Sequence, residues 1–237
     1  MSLENKLMED IDDTTQLLSE LIMDERVSRI ECINNRIRKE FCKETFKLLS
    51  DSNLMNKYQE CKSVRKNIIK LRNVLVGKNI SSKIQEEIIE EFMLELIPAG
   101  TKGVIRGNEF NSIIKKYLLN LELSLDIFDI KFETKHDNFL TCEIPDWYIY
   151  DKKHNKIIIG MNQLDLWGGG HQFNRGSKYL IDHINISNSK LLCVVCNFIE
   201  IKSDKNKVFR FFDVGFRNDT ICYLNGLKRI IDEYFGL

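Results

Sequence analysis

The chain has 237 residues, of which 43% are hydrophobic and 30% charged, and its 35 lysines and arginines balance 35 aspartates and glutamates. This length and apolar content suit one large domain, or a compact core with an accessory region, and electrical neutrality neither favours nor excludes a nucleic-acid partner. No apolar run approaches the roughly 18 residues a membrane span needs, and residues 1–6 show no basic stretch leading into an apolar run, so neither a membrane location nor secretion is expected.

Seven cysteines, an odd number without disulfide-like spacing, suit a reducing cytosol. Cys193 and Cys196 form a C-x-x-C inside an apolar run and read as core thiols. Charge is unevenly spread: residues 1–25 hold eight acids and one lysine, and residues 26–79 hold fourteen basic residues against five acids.

Residues 1–100 read as helical. Leu17, Leu18, Leu21 and Ile22 recur at helical spacing, as do Ile68, Leu71, Val74 and Leu75. Lys62, Lys66 and Lys70 repeat at i, i+4 with Arg65 and Arg72 beside them, giving one helix a basic flank. That flank is either a solvated face or an arm for phosphates. Ser81 and Ser82 precede a helix with acids near its start. Pro98 and Gly100 then interrupt, Gly103 and Gly107 bracket Arg106, and the next helix is expected over about 108–120 with Phe110, Ile113, Ile114 and Tyr117 facing inward.

Beyond this the period changes to two. Leu123, Leu125 and Ile127, continuing toward Phe132, predict one strand, and residues 140–150 and 156–166 predict two more joined by a tight turn. Gly168, Gly169 and Gly170 end the third strand, and a helix is expected over about 172–185. Residues 191–198 and 208–214 read as strands, and Asn218-Asp219 as the cap of a last helix carrying Leu224, Leu227, Ile230 and Ile231. The expected fold class is α/β, one mixed sheet flanked by helices. The expected division is a helical region over 1–100 and a core over 101–237.

The polar residues of this core point to chemistry. Asp146 follows Pro145 where the second strand begins, and alternation places Met161, Gln163 and Asp165 on one face of the third, with Asn162 and Leu164 on the other. An amide and a carboxylate buried in an apolar strand cost several kcal/mol without partners, which favours a polar site over a purely structural network. An aspartate after proline can equally be a turn cap. The three glycines expose N–H groups at a helix start, a setting that suits phosphate, and Gln172, Asn174, Arg175 and Lys178 follow on the first two turns, where they can read base edges or hold phosphates. His171 and His154 make no zinc pattern, and neither a dinucleotide fingerprint nor a P-loop occurs.

Helix, three strands, helix and strand, with Pro145-Asp146 leading into the second strand, resembles the PD-(D/E)XK nuclease superfamily, and more specifically type II restriction endonucleases. The segments Ile97-Pro98 through Asn111, Ile144 through Tyr148, and Gly160 through Tyr179 carry the likeness, and are similar to strings in enzymes that cut GGNCC-type sites. The resemblance covers about residues 97–215. It implies a restriction-endonuclease-like core, Mg²⁺-dependent cleavage of double-stranded DNA, a cytoplasmic homodimer, no membrane or small-molecule cofactor, and a DNA-clamping or dimerising role for residues 1–100.

The resemblance also implies residue roles. Asp146 would hold the metal, with Asp165 as a second ligand if the strand bulges. Gln163 stands where the family places lysine, and Met161 where it places a second acid. Glu109 and Glu143 are other possible acids, and Lys178 another possible lysine. Gln172, Asn174, Arg175, Lys178 and Arg106 would contact DNA. Alternatives are a structure-specific repair or recombination nuclease of the same fold, and a catalytically degenerate DNA-binding protein.

Overall fold

The computed structural model describes residues 43–137, 144–165, 188–197 and 215–237. The chain is mixed α/β, and its described residues form one five-stranded mixed sheet with helices. The predicted helix over 172–185 and strand over 208–214 lie outside the described residues.

Among the described residues, helices α1 (Lys43–Leu48), α2 (Asp51–Glu60), α3 (Lys62–Gly77), α4 (Ser82–Glu91), α5 (Met93–Leu96) and α6 (Ala99–Leu119) precede the sheet. Two compact units divide inside α6, one spanning Lys43–Ile113 and the other taking in Ile114–Leu237.

In the helical unit Leu54, Tyr58, Val64 and Ile97 form a buried cluster. The Tyr58 hydroxyl donates to Asp51 Oδ1 at 2.9 Å. Burial, together with the Asp51 carboxylate, pushes that phenol up to about 12. The glycines read as an interruption before residue 108 instead lie within α6. A Cβ at Gly100, Gly103 or Gly107 would meet nothing within 4 Å, so no close packing demands them. Their cost, about 1 kcal/mol each relative to alanine, is offset by the burial of Phe110, Ile114 and Leu118 further along the helix.

The sheet runs in the order β1 (Phe128–Phe132), β2 (Trp147–Asp151), β3 (Lys156–Asp165), β4 (Ser189–Asn197) and β5 (Ile221–Tyr223). β1, β2 and β3 form an antiparallel meander, and β4 and β5 add in parallel. The first strand is shorter than expected, because the N–H groups of Ile127 and Phe128 close a turn on Ser124 O at 3.0 and 2.8 Å. At the other end the sequence reading needs correction. Ile221–Tyr223 is a strand, and the last helix, α7, spans Leu224–Phe235. Asp219 does not cap it. That residue adopts a left-handed conformation (φ 53°) and pairs with Arg229 at 2.8 Å.

Ile157, Ile158 and Ile159 are all fully buried, as a central strand covered on both faces requires. Ile157 and Ile159 pack with Tyr148 and Leu191 on one face, joined by the partly buried Tyr150 and Met161. On the opposite face of β1, Phe128 meets Phe235 of α7 edge-on with ring centroids 5.1 Å apart. That second face also carries Trp147, directly opposite Gly160. A Cβ on Gly160 would lie 1.9 Å from the indole Cε2, so only glycine leaves room for the ring. Among the described residues no helix is long and apolar enough to cross a membrane.

The β2–β3 turn is held by Asp151, whose side chain is almost wholly buried. Its Oδ1 accepts the N–H of Lys153 (2.9 Å) and of His154 (3.2 Å), and its Oδ2 accepts from His154 Nδ1 at 2.6 Å. Asn155 supplies the left-handed residue before β3 (φ 51°). Burial acts to raise the Asp151 pKa, but the hydrogen bonds from His154 and Lys153 outweigh it, and the carboxyl titrates below the usual aspartate range.

Two outcomes are expected. Gly160→Ala lowers stability by about 1–3 kcal/mol through overpacking against Trp147, read as a lower urea midpoint with unchanged slope. The Asp151 carboxylate contributes its full stabilisation above the ordinary aspartate value, about 3.9, and loses it as pH falls from there through the lower folded-state value. Urea unfolding of Asp151→Asn therefore shows a flatter pH profile below about pH 4 than the unsubstituted protein.

Candidate functional site

The site begins where β2 separates from β3. The regular pairing of the two strands ends at Trp147 opposite Gly160. Beyond that point the Asn162 N–H is taken by a side chain, Asp146 Oδ2, at 2.6 Å. The Asp146 carbonyl in turn accepts the Glu133 N–H at 3.0 Å, which carries the β1–β2 contact one residue past Phe132 and Trp147. Asn162 is engaged twice, because its Oδ1 accepts the Trp147 indole N–H at 2.9 Å. Pro145 is buried and has no N–H of its own to satisfy.

Asp146 is half-buried. Counting alternation back from Tyr148 puts it on the side of the sheet that carries Ile159, Met161 and Gln163. Its bond to Asn162 N holds the carboxylate against the backbone between Met161 and Gln163. Cys193 on β4 pairs with Met161. Burial, with the added negative charge of Asp146, pushes that thiol up to about 12, so Cys193 is a neutral core residue and not a nucleophile.

The other sequence candidates are placed as follows. Asp165 ends β3, paired in register with Asn197. Glu109 lies on α6 in the helical unit, ion-paired with Lys57. Arg106 lies one turn earlier on α6, its Nε buried and without a hydrogen-bond partner among the described residues. Glu143, Gln172, Asn174, Arg175 and Lys178 lie outside the described residues. Among these candidates, strand alternation puts Asp146 and Gln163 on the same side of the sheet.

No protein-family model, no curated protein and no solved structure matches the chain.

Two features escaped the sequence reading. Glu133 stands beside Asp146 through strand pairing, with a left-handed backbone (φ 50°) that is uncommon for glutamate. The Trp147–Gly160–Asn162 contact was the other, and a lone glycine in an isoleucine-rich strand was its available signal. Among the described residues no group of three His, Cys, Asp or Glu side chains is gathered for a metal. The acids present, Asp146 and Glu133, offer oxygen donors of the kind that hard divalent cations take.

The bond to Asn162 separates structure from chemistry at Asp146. Asp146→Ala leaves a β3 N–H without its acceptor and is expected to cost about 1–3 kcal/mol. Asp146→Asn keeps an acceptor oxygen and should stay within about 1 kcal/mol of the unsubstituted protein. Parallel urea titrations of the two variants check this, and equal losses would sink the structural role assigned to the bond.

Proposed function

We propose that the chain is a Mg²⁺-dependent endonuclease that cleaves double-stranded DNA, built on a restriction-endonuclease-like sheet and acting as a homodimer in the cytoplasm. One observation carries the reading. A carboxylate at the start of the middle meander strand lies against the neighbouring strand, on the side where an amide follows. The element order supports it too: a helix, a three-strand antiparallel meander and then a parallel strand. The likeness to PD-(D/E)XK enzymes in that order and in Pro145-Asp146 belongs to this proposal.

In this reading Asp146 holds the metal, with Asp165 as the second ligand named by the resemblance. Glu133 is a further acid from the neighbouring strand end, standing in for the one absent at Met161. A bound Mg²⁺ would supply charge compensation to the phosphodiester and a more acidic water. Gln163 can orient a water or donate to a phosphate oxygen, without contributing a cation. A two-fold dimer would present one such site to each DNA strand.

Asp146 Oδ2 already accepts a backbone N–H, and Met161 occupies the place of an acid. These two facts favour a second reading, a DNA-binding protein on a degenerate nuclease fold. Plasmid incubated with Mg²⁺ decides between them. The nuclease reading expects discrete bands, abolished by EDTA and reduced at least about a hundredfold by Asp146→Asn, a loss of more than about 2.7 kcal/mol in transition-state stabilisation. Tight DNA binding with no cleavage in any divalent metal would establish the second reading instead.

A further inference from the structure

We infer that the outer face of α3 is a docking surface for the sugar–phosphate backbone of double-stranded DNA. The helix carries Lys62, Arg65, Lys66, Lys70 and Arg72 and no acid. Its orientation within the helical unit is set by Val64 and Ile68, which join the cluster around Leu54, Tyr58 and Ile97. It is also held by Asn67 Nδ2, which donates to Leu96 O at 2.9 Å. At 3.6 residues per turn, Lys66 lies about 160° around the helix from Val64, and Lys70 about 160° from Ile68. Lys62, Lys66 and Lys70 accordingly point outward, and all three are exposed.

Several other cations of the unit are paired with acids. Lys57 meets Glu109, Lys102 lies 3.6 Å from Asp51, and Arg72 donates to Glu86 at 2.7 Å. Among the described residues none of Lys62, Lys66 and Lys70 has an acidic partner. Three like charges spaced about 6 Å apart along one helix repel one another, and a regular anion relieves that repulsion. The row spans about 12 Å, over which one DNA strand presents roughly three to four phosphates at about 3.4 Å each.

An anionic membrane fits less well, because an interfacial helix needs a continuous apolar face, and here the apolar side of α3 is spent on the unit's own core. The exposed apolar residues of α3, Ile69, Val74 and Val76, are interspersed with charged and polar residues and form no continuous face. That the face takes a polyphosphate backbone follows from its charge alone; that this backbone is DNA rests on the nuclease reading. The two can fail separately.

Binding of the full chain to a fluorescein-labelled 30-base-pair duplex, followed by anisotropy in EDTA between 50 and 200 mM salt, tests the inference without cleavage. Each lysine contacting a phosphate contributes about 0.9 to the slope of log K against log salt. Lys62→Gln/Lys66→Gln/Lys70→Gln should therefore flatten that slope by about 2 to 3 and weaken low-salt binding at least tenfold. Lys83→Gln, on α4, should leave both unchanged. Circular dichroism checks the fold of the triple variant, and if it unfolds, each single Lys→Gln is expected to remove about 0.9.

An unchanged slope would overturn the inference, as would a loss shared equally by Lys83→Gln. So would binding to phosphatidylserine vesicles, or α3-dependent self-association, without binding to duplex. Duplex binding that depends on these lysines, without cleavage in Mg²⁺, would uphold the α3 surface and remove the nuclease reading alone.

Discussion

The hydrogen bond from the Asn162 N–H to Asp146 Oδ2 is the contact on which the candidate site depends. A β-sheet end normally leaves backbone donors to water or to a cap, and a buried donor without a partner costs about 1–3 kcal/mol. Here a carboxylate continues the ladder where the backbone of β2 no longer does. Because the acceptor is charged, the bond belongs to the stronger class. The Trp147 indole packs over Gly160 and donates to the same asparagine, so one residue of β3 fixes both Asp146 and its neighbour. Residues 146 and 147 reach opposite faces of the sheet from adjacent positions, and Asn162 answers both, one with its backbone and one with its side chain.

In the helical unit the same reasoning runs through charge. Most of its ion pairs are exposed, and exposed pairs contribute little to stability. What they change is the distribution of free charge. Lys57, Lys102 and Arg72 are neutralised locally, while the α3 row keeps its full field. A protein with no net charge can therefore still present a concentrated cationic strip, because association with a polyanion responds to local potential.

Much of this architecture was legible in the residues, for identifiable reasons. The β2–β3 hairpin and β4 are long and apolar, with turn residues at Asp151 and Asn155. The basic flank of α3 was visible in the i, i+4 spacing of its lysines. The three-residue β5 was not, since Ile221-Cys222-Tyr223 is too short to display a period and abuts a helix of similar composition. Gly100, Gly103 and Gly107 suggested a break that α6 does not make, because packing outweighed local preference. Asp146 could be singled out by the proline before it and the strand after it. Glu133 could not, since its nearness to Asp146 comes from pairing between strands and leaves no mark on spacing along the chain.

The bond to Asn162 does not by itself explain why residue 146 is an aspartate. Asparagine would offer the same N–H an acceptor oxygen of similar size and reach. A carboxylate adds a negative charge that half-burial makes less favourable, close enough to Cys193 to add to the elevation of its pKa. The Asp146 backbone carbonyl accepts the Glu133 N–H, so a second acidic residue follows the neighbouring strand end. Under the proposed metal-dependent reading, a divalent ion at this strand end would take oxygen donors of this kind. In that reading, a metal-dependent role would use the charge at residue 146 beyond the acceptor oxygen that an amide would also supply.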